Sequence, residues 1–298
     1  HRVGITGGEP LIRGDFLPLL DVLKEREVVL TTIYTNGWLV DGRLLDELDA
    51  RGMHPSFQLS FDGLGQHDFL RGVEGSEERT LRVLRLLQER EYGVAVSMCL
   101  HRGNVGTIRA TVRRMAELGV ASMKIGPSME MGAWTDPEVR ELYLTEEEML
   151  EAACGYVPQF FEDGAPVGLM MERYFEFDRE RCAWSIPAEA KVDDFLGKPN
   201  CGVIAQNFYI SAEGRVVPCM SLDDTPVAGR FDNLFQKPLG DILSSSEYRQ
   251  MVLATNGEVR ERNPKCQACP HAERCDGGCR QSAVLDNGDY WGVDSGLC

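Results

Sequence analysis

Four thiols lie within the fifteen residues KCQACPHAERCDGGC, Lys265 to Cys279, and six more cysteines are spread over the rest of a 298-residue chain. Cys266 and Cys269 stand two residues apart, the spacing with which one turn directs two thiolates at one metal centre, and Cys275 and Cys279 follow closely. Disulfides are the competing chemistry. No signal peptide is seen at the start of the sequence, so a reducing compartment is expected, where clustered thiols are more often metal-bound than oxidised. Seven cysteines occur from Cys201 onward: Cys201, Cys219, Cys266, Cys269, Cys275, Cys279 and Cys298. Seven do not divide into two closed sets of four. Either Cys182 supplies an eighth ligand or one metal keeps an open position, and an open position has more use on an iron-sulfur cluster than on a structural zinc. Cys99, in an apolar run, and Cys154, on a helix-like stretch, read as small core residues.

A second constellation stands at the front, in GITGGEPLIRGDF, Gly4 to Phe16. Gly7 and Gly8 carry no side chain and let a ligand approach the backbone, Glu9 offers a carboxylate to an ammonium group, and Pro10 stiffens the exit. Further polar groups follow apolar runs in TNG (Thr35 to Gly37) and LSFDG (Leu59 to Gly63). Asn36, Ser60 and Asp62 are candidate ligand contacts there, and the NG and DG pairs read equally well as turns.

These groups need a scaffold, and the first half of the chain supplies a rhythm of short apolar runs and amphipathic stretches. Val3 to Thr6, Val28 to Thr35, Phe57 to Phe61, Val94 to Leu100 and Met123 to Gly126 read as buried parallel strands. Phe16 to Arg26, Leu39 to Arg51, Glu77 to Glu91 and Asn104 to Leu118 have helical period, with Gly52, Gly93 and Gly119 placed to end helices in the left-handed conformation. Thr145 and Glu148 match a capping box for a helix reaching about Phe161. The stretch from about Arg173 to Lys198 reads as an irregular bridge. Repeated strand-helix units mean a parallel α/β sheet or barrel, whose ligand sites lie at the carboxyl ends of the strands. Length and 43% hydrophobic content allow one large domain and a smaller one.

The formal charge of −16, from 47 acids and 31 bases, repels phosphate backbones and sets nucleic acid aside as a partner. A basic or neutral peptide is compatible with it. No run of about eighteen apolar residues spans a membrane, and the expected location is cytoplasmic.

Taken together, GGEP at Gly7 to Pro10, TNG, LSFDG and VAVSMCLHRGN (Val94 to Asn104) resemble the radical S-adenosylmethionine (radical SAM) superfamily. Cys201, twelve residues, Gly214, four residues and Cys219, followed by C-x2-C-x5-C-x3-C and Cys298, are similar to the SPASM domain of peptide-modifying members. The resemblance covers nearly the whole chain. It implies an α/β fold, a partial (β/α)6 radical SAM barrel lacking its first unit over residues 1–172, a bridging region over 173–200, and a small cysteine-rich SPASM domain with a β-hairpin over 201–298. It implies that Gly7, Gly8, Glu9, Pro10, Asn36, Ser60 and Asp62 contact S-adenosylmethionine, with Glu9 on the methionine ammonium. It further implies two auxiliary 4Fe-4S clusters, one on Cys201, Cys219 and Cys279, the other on Cys266, Cys269, Cys275 and Cys298, with Cys182 as a candidate eighth ligand. The family's CxxxCxxC loop, which carries the cluster that cleaves SAM, is not among these residues. A third cluster is expected in a full-length protein, and the chain as given would not generate the radical.

The activity so implied is reductive cleavage of SAM and hydrogen abstraction from a ribosomally made precursor peptide, forming a thioether or another crosslink. Electrons would come from a flavodoxin- or ferredoxin-type donor. Met220 stands where sulfatase maturases of this family carry an Asp after the cysteine, which makes formylglycine formation the second enzymatic reading. A non-catalytic, zinc-containing peptide-binding module is the alternative from another class.

Overall fold

The computed structural model describes residues 1–128, 136–186, 195–273 and 275–294. The chain divides between Pro187 and Ala188 into two compact units.

The first unit is a sheet of eight strands in sequential order. Its elements are β1 (Arg2–Ile5), α1 (Phe16–Glu25), β2 (Val29–Thr35), α2 (Gly42–Ala50), β3 (Ser56–Ser60), α3 (His67–Arg71), α4 (Ser76–Glu89), β4 (Val94–Leu100), α5 (Ile108–Glu117), β5 (Ser122–Pro127), α6 (Pro137–Arg140), α7 (Glu146–Glu162), β6 (Gly168–Met171), β7 (Phe175–Asp178) and β8 (Ala183–Ser185). Each neighbouring pair from β1 to β6 runs parallel, and β7 and β8 add on antiparallel.

Strand alternation decides what each face of this sheet can do. Thr35, Leu59, Val96, Met123, Leu169 and Phe177 are paired in one row across six strands, and all are buried. Leu20, Leu45, Leu48, Leu84, Leu87, Val112, Met115 and Phe160 of the helices join the same core. The next row, Ser60, Ser97, Lys124, Met170, Glu176 and Ser185, is polar apart from Met170 and is half-buried or exposed. The strands therefore bury one face. The runs read as buried strands are buried on one face only, because polar residues alternate with apolar ones in β3, β4 and β5.

Three further expectations change. The sheet has a sixth parallel strand, β6, from the run GLMM. The stretch read as an irregular bridge from Arg173 instead forms β7 and β8 up to Ser185. Gly93 does not end α4: the left-handed residue there is Glu91, at φ 57°, while a Cβ on Gly93 would stand 2.8 Å from Ser56 Oγ. Gly93 is thus where β4 passes close to β3. Gly52 and Gly119 take the left-handed turns expected of them. The capping box on α7 forms as read, with Thr145 Oγ1 accepting from Glu148 N at 3.2 Å and Glu148 Oε2 accepting from Thr145 N at 2.8 Å.

The second unit contains α8 (Gly202–Gln206), an antiparallel hairpin of β9 (Tyr209–Ile210) and β10 (Val216–Val217), then α9 (Leu239–Ser244), α10 (Ser246–Val252), α11 (Asn256–Arg262), α12 (Pro264–Ala268) and α13 (Arg280–Asn287). Val216, Val217, Ile242, Met251, Val284 and Tyr290 form its core. Its helices are short, so the segments between them carry much of the architecture.

Candidate functional site

At the carboxyl ends of β1 and β2, the Glu9 carboxylate ties two loops together. Oε1 accepts from Thr35 Oγ1 at 2.7 Å and from Leu11 N at 3.2 Å, and Oε2 accepts from Asn36 N at 2.9 Å. Thr35 Oγ1 in turn accepts from Gly37 N at 3.1 Å. The Asn36 side chain turns inward on its own loop, its Oδ1 accepting from Trp38 N at 2.8 Å, so the NG pair is a turn whose backbone, rather than its amide, reaches Glu9. Pro10 opens the following 3-10 turn and is buried. Gly7, at φ 135°, and Gly8 are exposed, and a Cβ on either would meet nothing within 4 Å. Open space beside a fixed carboxylate is what an ammonium-bearing ligand requires. Replacing Thr35 with Val is expected to cost about 1 kcal/mol in urea unfolding, because Glu9 is partly exposed and water can replace one donor. No change in stability would remove Thr35 from this lock.

Asp62 does something else. It is fully buried at the end of β3, with Oδ1 accepting from Cys99 N at 3.1 Å and Oδ2 lying 2.7 Å from Arg71 Nη2 and 3.3 Å from His67 Nδ1. Arg71 is the charge partner of Oδ2, in a contact without hydrogen-bond alignment. Asp62 N donates to His67 Nδ1 at 3.1 Å, which leaves the ring proton on Nε2, facing Thr80 Oγ1 at 3.4 Å. Asn104 completes the knot: its Nδ2 donates to Asp62 O at 2.9 Å and Cys99 O at 2.8 Å, while its Oδ1 accepts from His101 N at 2.8 Å. Burial pushes the Asp62 carboxyl up. The Arg71 guanidinium and the Cys99 N–H oppose it, and the group is held below the ordinary aspartate range. The candidate ligand contact is thus a carboxylate committed to the protein.

Ser60 lies on the open face, in register with Ser97 and then Lys124. Lys124 Nζ pairs with Glu172 Oε1 at 3.0 Å, and Glu172 sits over Gly126. Cys99 is only half-buried on that face, its thiol pushed up to about 11 by burial and then by Asp62. Cys154 is exposed on α7, so neither cysteine is the core residue expected from sequence. His67, Arg71 and Asn104 were not legible as site residues. Their partners lie on other elements, and only the polar HRGN end of β4 hinted at them.

The second unit sorts its thiols into two groups. Cys201 caps α8, Cys219 precedes a 3-10 turn and Cys279 caps α13, and all three act electrostatically on the buried Tyr290 hydroxyl. Burial is the larger cause of the raised Tyr290 pKa; the three thiols add to it and Arg280 opposes it. Cys266, Cys269 and Cys275 line a separate cavity of about 330 Å³, with Val259, Arg260 and Lys265 among its other walls. Among the described residues no three His, Cys, Asp or Glu side chains converge on a single point. Three thiols lining one cavity are ligands of the kind an iron-sulfur cluster takes. Cys298 lies outside the described residues. Cys182 belongs to the first unit, exposed at φ 50° between β7 and β8.

Comparison with known proteins adds to this geometry. Residues 1–123 match the profile of the Radical SAM superfamily, and residues 201–270 that of SPASM, an iron-sulfur cluster-binding domain. PqqA peptide cyclase of Gluconobacter oxydans (strain 621H) is 26% identical over 98% of this chain and 75% of its own length. AdoMet-dependent heme synthase of Methanosarcina barkeri (strain Fusaro / DSM 804) is 26% identical over 96% of this chain and 79% of its own. The crystal structure of Streptococcus suis SuiB bound to precursor peptide SuiA superposes with a TM-score of 0.73 at 18% identity. That match covers 100% of this chain and 65% of SuiB, so the chain spans slightly under two thirds of that protein. Among the described residues, no helix is long and apolar enough to cross a membrane.

Proposed function

We propose, from the membership of this chain in the radical SAM superfamily and its C-terminal SPASM domain, that it is the greater part of an enzyme that modifies a ribosomally made peptide. The observation that carries the reading is the sorting of six cysteines into two groups, one round Tyr290 and one round the 330 Å³ cavity, four of them within the residues 201–270 that match SPASM. In this reading Cys201, Cys219 and Cys279 hold one 4Fe-4S cluster, and Cys266, Cys269 and Cys275, with Cys298, hold the other. Glu9 receives the methionine ammonium of SAM, which stands in the space left open by Gly7 and Gly8. Ser60, on the open face of the sheet, is a further candidate contact.

When bound, SAM and the cluster of a CxxxCxxC loop would supply the chemistry that takes a hydrogen atom from the peptide, and as a thioether or other crosslink formed the remaining electron would pass to a cluster of the second unit while the attacking group gave up its proton. The chain's own residues bind and orient: Thr35 and the Asn36 backbone fix Glu9, and the Asp62 knot fixes the ends of β3 and β4. A flavodoxin- or ferredoxin-type protein is the proposed electron donor.

The test is label transfer with the reconstituted full-length protein. Incubation with a deuterated cognate precursor peptide is expected to place deuterium in 5′-deoxyadenosine; SAM cleavage without transfer from peptide would sink the peptide assignment. The heme synthase match, at the same identity as the peptide cyclase, makes a haem-type substrate the second reading. Deuterium transfer from such a substrate, and none from peptide, would select it.

A further inference from the structure

Arg280 follows Cys279 at the start of α13 and is 3% exposed. A guanidinium stays charged at any pH a protein tolerates, so burying one is costly unless an anion shares its surroundings. Every hydrogen bond it makes among the described residues goes to a neutral backbone carbonyl. Nη1 donates to Tyr290 O and Gly292 O, both at 3.0 Å; Nη2 donates to Gly277 O and, at 3.2 Å, to Gly278 O; Nε donates to Gly278 O at 3.4 Å. No carboxylate of the described residues pairs with it at salt-bridge distance. Asp294, buried in the same region, directs Oδ2 to Cys279 N at 2.9 Å.

The clamp has a geometric purpose. It ties the Gly277-Gly278 turn, which separates Cys275 from Cys279, to the segment from Tyr290 to Gly292. Both glycines are left-handed, at φ 78° and 79°, and a Cβ on Gly278 would come within 2.5 Å of Asp294. The side chain therefore holds Cys279 against the segment that carries Tyr290, and Tyr290 belongs to the core against which Cys201 and Cys219 pack.

We infer that Arg280 is the positioning residue of the Cys201, Cys219 and Cys279 site, and that its buried charge offsets the thiolates there and raises the reduction potential of the cluster they hold. The inference rests on the reading that this set carries an iron-sulfur cluster. A fixed cation near a cluster favours the reduced state, which carries one more negative charge.

The experiment is a redox titration followed by EPR on anaerobically reconstituted full-length protein, comparing wild type with Arg280→Gln and Arg280→Lys, alongside iron and sulfide analysis. Arg280→Gln is expected to load clusters and shift one midpoint to lower potential, while Arg280→Lys, which keeps the charge, stays close to wild type. An unchanged midpoint in a loaded Arg280→Gln protein overturns the inference and leaves the cluster reading standing. If Arg280→Gln does not load, Arg280→Lys decides: loading at the wild-type potential supports the inference, and failure to load assigns the residue to the carbonyl clamp alone and overturns the charge role. Wild-type protein without iron and sulfide overturns the cluster reading itself, and the inference with it.

Discussion

Alanine in place of Asp62 is expected to destabilise the first unit by about 3 kcal/mol, the lower end of what breaking a buried ion pair costs. The carboxylate is fully buried, and its loss leaves the Cys99 N–H without an acceptor and removes the anion facing Arg71. Arg71 is 34% exposed and can turn to water, which keeps the figure from rising further. Thermal or urea unfolding of Asp62→Ala beside wild type measures it, and a loss under about 1 kcal/mol would show that the knot is an exposed-type pair. The pH dependence follows from the depressed carboxyl. Its contribution is fully present above the unfolded aspartate value of 3.8 and is lost as pH falls through the lower folded value. The difference between wild type and Asp62→Ala should therefore hold at neutral pH and shrink in acid below 3.8.

Single alanine substitutions at Cys219 and at Cys269 should each lower the iron of the second unit from about eight to about four per chain, since two cubane clusters hold four irons each. The two variants should lose different EPR signals, because one thiol belongs with Tyr290 and the other lines the cavity. Cys275→Ala and Cys279→Ala make the sharper pair. They lie four positions apart, yet the first should behave like Cys269→Ala and the second like Cys219→Ala. Loss of the same signal from both members of that pair would refute the two-group arrangement.

Much of the scaffold is legible because short-range rules govern it. β1 to β5 announce themselves as apolar runs with β-branched residues, and α7 by a capping box made of neighbours in sequence. β6, β7 and β8 do not. GLMM has no β-branched residue, and FEFD and AWS are held by pairing with a preceding strand, a contact no local pattern encodes. The site divides the same way. Glu9 is recognisable from its motif, but its commitment to Thr35 and Asn36 comes from the strand beside it. Asp62 looks like half of a turn until His67, Arg71, Cys99 and Asn104 close round it from three other elements. The cysteine spacing gives ligand chemistry, while the sorting of thiols into groups needs Tyr290, a residue with no motif of its own.

The lock on Glu9 has a kinetic corollary. With three donors already fixing both oxygens, the carboxylate is held in one orientation, so that in the function proposed above a cationic guest would meet a rigid anion instead of ordering a mobile one. Association then loses little entropy at this end of the guest, and discrimination falls on where the positive charge sits. A guest whose amine is displaced by one bond would be turned away by geometry, because the receptor has no slack with which to follow it.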